Sequence, residues 1–214
     1  VILTSIILAL TMDSFLIPLF FMLSVGMAII YNMGTNFIQG EISFITEALA
    51  AVLQLAVTID YSIFLWHSYK EEKEKHPGDN KEAMAVAIGK TITSVVSSSI
   101  TTVAGFLALC FMSYELGMDM GIVMAKGVVI GVICCITVLP SMILVFDKAL
   151  EKTMHKDLVP SLEKPSKFII KHHAAFIVLF IVVLIPAVYG QINTNVYYNL
   201  TDTLPKDLNS VIAN

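Results

Sequence analysis

Apolar residues run along this chain in long blocks separated by short polar connections. A membrane-spanning helix needs about 20 mostly apolar residues. The blocks at 1–10, 15–33, 48–69, 92–112, 120–146 and 174–189 approach or exceed that length, the first truncated by the chain start. Phe168-Ile169-Ile170, ahead of Lys171, can lengthen the last. Blocks so long and so uniformly apolar predict an all-α membrane protein, a polytopic bundle of transmembrane helices.

The polar breaks divide the chain further. Thr11-Met12-Asp13-Ser14 reads as a tight turn in which Asp13 or Ser14 can cap the next helix. In the 70–90 connection Pro77-Gly78 is a break, and Asp79 with Glu82 forms a capping-box-like start. Met84, Ala87 and Ile88 then give a modest apolar stripe. This predicts a short surface helix leading into the Ile92 span, a solvated charged loop being the other reading. Residues 1–146 are expected to form one bundle, 147–173 a linker containing Pro160 and Pro165, and 174–189 a helix that opens a second half. From residue 190 the chain turns polar. Val196-Tyr197-Tyr198 suggests a strand and Leu204-Pro205 a turn, the expected start of an external α/β domain.

Composition sharpens this picture. The chain is 57% hydrophobic and 14% charged, against about a quarter charged in soluble domains. It lacks an initiator Met and opens inside an apolar run, so it reads as an internal piece of a longer protein. All 13 basic residues are Lys, with no basic and aromatic patch of the kind that binds nucleic acid. Cys110, Cys134 and Cys135 all fall in apolar runs and suit neither a disulfide framework nor a zinc site. Lysines crowd 70–90 and 147–173, whereas 34–47 and 113–119 carry Glu41, Glu47, Glu115 and Asp119 instead. Lysine-rich loops stay cytoplasmic. Residues 70–90 and 147–173 are therefore expected inside, and 34–47, 113–119 and 190–214 outside, with Trp66 and Tyr69 in an interfacial aromatic belt.

The candidate chemistry lies within the spans. Asp60 falls near the middle of the 48–69 block, close to the bilayer midplane. An Asp there costs about 2.5–3.5 kcal/mol on insertion scales, which outweighs several apolar neighbours at a few tenths each. Such a residue is expected to face protein or a water-filled cavity. Desolvation favours the protonated form of a carboxyl, and a carboxyl that holds and releases a proton is a relay. The competing reading makes Asp60 polar glue between helices. Tyr61 stands beside it. Gln54, Thr58 and Tyr61 follow i, i+4, i+7 spacing and predict a polar, protein-facing side. In the next span Thr93, Ser97, Thr101 and Gly105 recur every four residues beside Ser94, Ser98 and Thr102. This predicts a tight helix seam in which Ser97, Ser98 and Thr101 can hydrate the Asp60 site. Lys126 is expected either to snorkel to the outer surface or to pair with a carboxylate such as Asp60. Gly127 and Gly131 form a GxxxG packing surface. A lone intramembrane Asp argues against an aspartyl protease, and no enzyme is expected.

The stretches "TIDYSIFLWHSYKEE", "SSSITTVAGFLAL" and "GIVMAKGVVIGVICCITVLPSMILVF" resemble the fourth, fifth and sixth helices of the MMPL family in the resistance–nodulation–division (RND) superfamily. The tail "NVYYNLTDTLPKDLNSV" resembles the start of its second external domain. The resemblance implies half of a twelve-helix membrane domain, in which 1–10 ends the second helix and 174–189 is the seventh. It implies a proton-driven exporter of lipids or other hydrophobic molecules in the plasma membrane, with protons as coupling ion and no other cofactor. It casts Asp60 and Tyr61 as the relay pair, with the partner pair on a tenth helix that this chain does not contain. Lys126 departs from the commoner apolar residue of the family. Expected partners are the substrate, membrane lipids, the second half of the same polypeptide and further copies of the protein. A sterol-sensing-like bundle without pumping and a protein-translocation motor of the same superfamily are the alternatives. Tyr61 argues against the motor, whose corresponding helix pairs the Asp with Asn or a small residue.

Overall fold

The computed structural model describes residues 2–38, 40–112, 115–155 and 163–194. Helices α1 (Ile2–Thr11), α2 (Leu16–Gly34), α3 (Phe44–Lys75), α4 (Asn80–Leu109), α5 (Glu115–Val145), α6 (Asp147–Thr153), α7 (Glu163–Lys171) and α8 (His173–Ile192) follow in order, with a 3-10 turn at Thr35–Ile38 after α2. Among the described residues there is no strand beyond one isolated bridge between Ser14 and Met154. Five helical segments, in α2, α3, α4, α5 and α8, are long and apolar enough to cross a membrane. The protein is an all-α, multi-pass membrane helix bundle. The proposed external strand and turn, and Pro160 of the linker, lie outside the described residues. The chain divides into two compact units, Val1–Val159 and Pro160–Asn214. In the second unit α8 carries no buried residue.

Local sequence explains where the helices start and stop. Ser43 has extended backbone and accepts from the Ile45 N–H, which caps α3. Lys73 and Lys75 close the last turn of α3, where cations suit the helix dipole. Gly78 takes φ +90, which Gly adopts without strain, and turns the chain. The Asp79 carboxylate then accepts from the Glu82 N–H, as the capping pair predicts. The expected short surface helix is instead the first turns of one continuous α4. Between Asn80 and Leu109 there is no Pro, and Ala83, Ala85 and Ala87 favour helix. At the α1–α2 turn the Ser14 hydroxyl accepts from the Leu16 N–H at 3.3 Å, while Asp13 is engaged elsewhere.

In the first unit α5 packs against α2, α3 and α4. Its core holds Ile17, Phe21, Leu65, Tyr69, Met84, Leu139 and Ile143, each almost fully buried. Lipid tails are as apolar as these side chains, so their contribution comes from close packing rather than from escape from water. Pro140 sits inside α5, where it removes one backbone hydrogen bond.

Candidate functional site

Helices α3 and α5 run in the same direction and hold one register. Thr46 and Ser43 at one end of α3 donate to the Asp119 carboxylate at 2.6 and 2.9 Å. Two turns on from Thr46, Gln54 donates to the Gly127 carbonyl at 3.1 Å. One turn further Thr58 faces Gly131, and another turn brings Ser62 to Cys135. Gly127 and Gly131 thus pack closely, as the GxxxG spacing predicts. A Cβ on Gly127 would lie 2.6 Å from Asn32 Nδ2, and one on Gly131 would strike the Thr58 hydroxyl. Helix α2 closes the seam. Asn32 donates to Gln54 Oε1 at 3.0 Å, and Ser24 and Ala28 follow at four-residue spacing. Ser24, Asn32, Gln54, Thr58 and Ser62 are all buried. The polar side expected at Gln54, Thr58 and Tyr61 is therefore protein-facing. Asn32 and Ser24 belong to it and escaped the sequence reading, although Ser24, Ala28 and Asn32 repeat every four residues.

Asp60 lies at the middle of α3 but on the other side. Two residues correspond to about 200° around a helix, so Asp60 points away from the Thr58–Gly131 seam. It is exposed, among exposed Leu53, Ala56 and Phe64, whereas Tyr61 is buried in the core. Adjacent in sequence, the two residues open to different surroundings. The expectation that Asp60 meets protein or a cavity is not met within the described residues.

The α4 seam needs a similar correction. Thr93, Ser94, Ser97, Ser98, Thr101 and Gly105 are exposed, and a Cβ on Gly105 would meet nothing within 4 Å. Thr101 and Thr102 instead donate to the carbonyls of Ser97 and Ser98 at 3.2 and 3.0 Å. Four-residue spacing marks a stripe of small residues but not its partner, and α4 packs through its other side, at Met84, Ala87, Thr91 and Val95. The Lys126–Asp60 pair does not form either. The Lys126 ammonium donates to Asn36 Oδ1 at the acidic end of the bundle, the end-seeking geometry of a snorkelling lysine.

The lysine-rich end holds an ionic cluster. Asp13 is buried, pairs with Lys70 at 2.5 Å and accepts from the Trp66 indole at 3.2 Å. Burial pushes the Asp13 carboxyl up, but Lys70 and Trp66 outweigh it and hold it below its ordinary value. Asp147, at the start of α6, accepts from Lys73 at 2.7 Å, Tyr69 at 3.3 Å and Asn80 at 2.5 Å, tying α6 to α3 and α4. Buried Glu72 pairs with Lys75 and Lys90. Trp66 and Tyr69 are buried within this network rather than presented to an interface. Between α4 and α5 an open apolar groove of about 430 Å³ runs along the outer surface, lined by Val96, Ile100, Val103, Leu107 and Val132 among others.

A model of the MMPL family matches residues 1–162. Similar curated proteins include the putative membrane protein ActII-3 of Streptomyces coelicolor, 29% identical over 66% of this chain and 20% of its own length. The putative membrane protein MJ1562 of Methanocaldococcus jannaschii is 30% identical over 59% of this chain and 32% of its own. The membrane protein YdfJ of Bacillus subtilis is 24% identical over 90% of this chain and 28% of its own. The chain spans about a fifth to a third of the length of these relatives. No solved structure matches.

Proposed function

Because the chain belongs to the MMPL family, we propose that it is part of a proton-driven exporter of lipids or other hydrophobic molecules in the plasma membrane. Asp60 is its proton-binding residue. The observation that carries this reading is the exposure of Asp60 on an otherwise apolar side of a spanning helix. Hydrocarbon rejects a midplane Asp by about 2.5–3.5 kcal/mol, so this side takes up protein or water when the protein is assembled. The exposed hydroxyl stripe of α4 supports the same conclusion. Helices α3 and α4 run antiparallel from the Ser68–Ala87 contact, and an equal rise along both brings Asp60 to the level of Val95, between Ser94 and Ser98. Carboxyl and hydroxyls together line a polar cleft that the second half of the polypeptide completes. Tyr61, turned into the core, supports Asp60 from behind rather than beside it.

A proton crossing 100 mV releases about 2.3 kcal/mol, which biases a two-state bundle if the two states hold the proton differently. Protons serve as coupling ion, no other cofactor takes part, and the protein performs no covalent chemistry. A lipid sensor that does not pump is the second reading, since Asp60 would then only hold helices together. An uncoupler separates the two. Export of a fluorescent lipid analogue by the intact polypeptide is expected to stop when the proton gradient collapses, and in Asp60→Asn at unchanged expression. Export that survives both changes would sink the pump.

A further inference from the structure

We propose that α5 positions the relay acid: its Gly127–Gly131–Cys135 face sets the rotation of α3 about its axis, with Gln54 and Thr58 as positioning residues for Asp60. The inference rests on the relay reading of Asp60 and adds what holds that carboxyl in place. Thr46–Asp119 and Gln54–Gly127 share one offset of 73 residues, and Thr58–Gly131 and Ser62–Cys135 continue it. Four successive contacts at one offset, spread over more than four turns, leave α3 no freedom to rotate against α5.

Two of the contacts are specific. Gln54 is held at both ends, donating to Gly127 O and accepting from Asn32, so α2 and α5 grip it together. One residue before Gly127, Lys126 reaches Asn36, one turn beyond Asn32 in the 3-10 turn that follows α2. At Gly131 a Cβ would fall on the Thr58 hydroxyl, while Thr58 Cγ2 and Cβ at 3.4 and 3.5 Å would be in ordinary contact, so the hydroxyl is the group that must shift. Asp60 projects from the opposite side of α3, about 200° from Thr58. Whatever pushes Thr58 therefore turns or displaces Asp60. A misplacement of about 1 Å in a reacting group can cost 100-fold in rate, so a seam on the far side of the helix sets the performance of the acid without touching it.

The test titrates Asp60 in the intact polypeptide in liposomes by infrared difference spectroscopy, its carboxyl band being the one lost in Asp60→Asn. Gly131→Ala is expected to move the midpoint by about one pH unit. Adding Thr58→Ala removes the hydroxyl that the new methyl meets, and is expected to return the midpoint to within a few tenths of a unit of the original. An unshifted midpoint in folded Gly131→Ala, or a shift that Thr58→Ala leaves in place, overturns the proposal. Should Gly131→Ala fail to fold, Gln54→Leu severs both ties without adding bulk on α5, and the same shift is expected; an unchanged midpoint there overturns it equally. Failure of the relay reading looks different: coupled export persists in Asp60→Asn while the Gly131→Ala and Thr58→Ala pair still moves and restores the band.

Discussion

Asp13 shows how one residue can tie a turn between two helices to two others. Its carboxylate joins the α1–α2 turn to Lys70 and Trp66 of α3, and its carbonyl accepts from the His155 N–H just past α6. Asp13→Asn keeps a partner for Trp66 but leaves Lys70 without its counter-charge. It is expected to lower stability in detergent by about 1–2 kcal/mol, since Lys70 is partly solvated. The sign of the pH dependence follows from the lowered carboxyl. Its stabilisation is present above the ordinary carboxylate value and is lost as pH falls through the folded value. Thermal unfolding is expected to show wild type and Asp13→Asn converging below about pH 4. A gap that stays constant down to low pH would assign the effect to packing. Asp60 presents the opposite case, an exposed carboxyl with no hydrogen-bond or ion-pair partner among the described residues. Its position was legible in the sequence, because cost at the midplane depends only on depth. Its direction was not, because "faces protein" does not say which protein.

At the scale of elements, the period of the pattern read well and the choice of partner did not. Gln54, Thr58, Gly127 and Gly131 fell where four-residue spacing put them, since small and polar residues on neighbouring helices had each other to pack on. The same spacing on α4 met no partner in the described residues, and Lys126 chose Asn36 over Asp60. The α3–α5 seam makes a specific forecast. Gly127→Ala brings a methyl to 2.6 Å from Asn32 Nδ2 and 3.1 Å from Gln54 Oε1, and is expected to cost about 1–3 kcal/mol. Gly105→Ala, inside α4 with open space around it, is expected to cost nothing and to stabilise by up to about 1 kcal/mol. Equal losses at the two glycines would refute the packing register. Asp147 ties the start of α6 to α3 and α4 beside the Glu151–Lys73 pair, so Asp147→Ala is expected to loosen that start and speed proteolysis after Lys148. Unchanged cleavage would show that Leu150, which is also buried, suffices.

At the scale of the molecule, length and hydropathy announced a membrane bundle, and the family match agrees with the quoted helices. What the pattern could not declare is which side of α3 the midplane carboxyl takes, and among the described residues that side is exposed. An exposed apolar side that carries a carboxyl at mid-helix suits hydrocarbon poorly, which is what the proposed relay rests on. The account stands or falls on proton coupling at this residue. Its most direct measurement is proton entry into liposomes holding the intact polypeptide under an imposed potential, read by an internal pH dye while a lipid analogue is exported. Wild type is expected to carry protons in step with export, and Asp60→Asn to carry neither. Coupled proton entry at the wild-type rate in Asp60→Asn would contradict it.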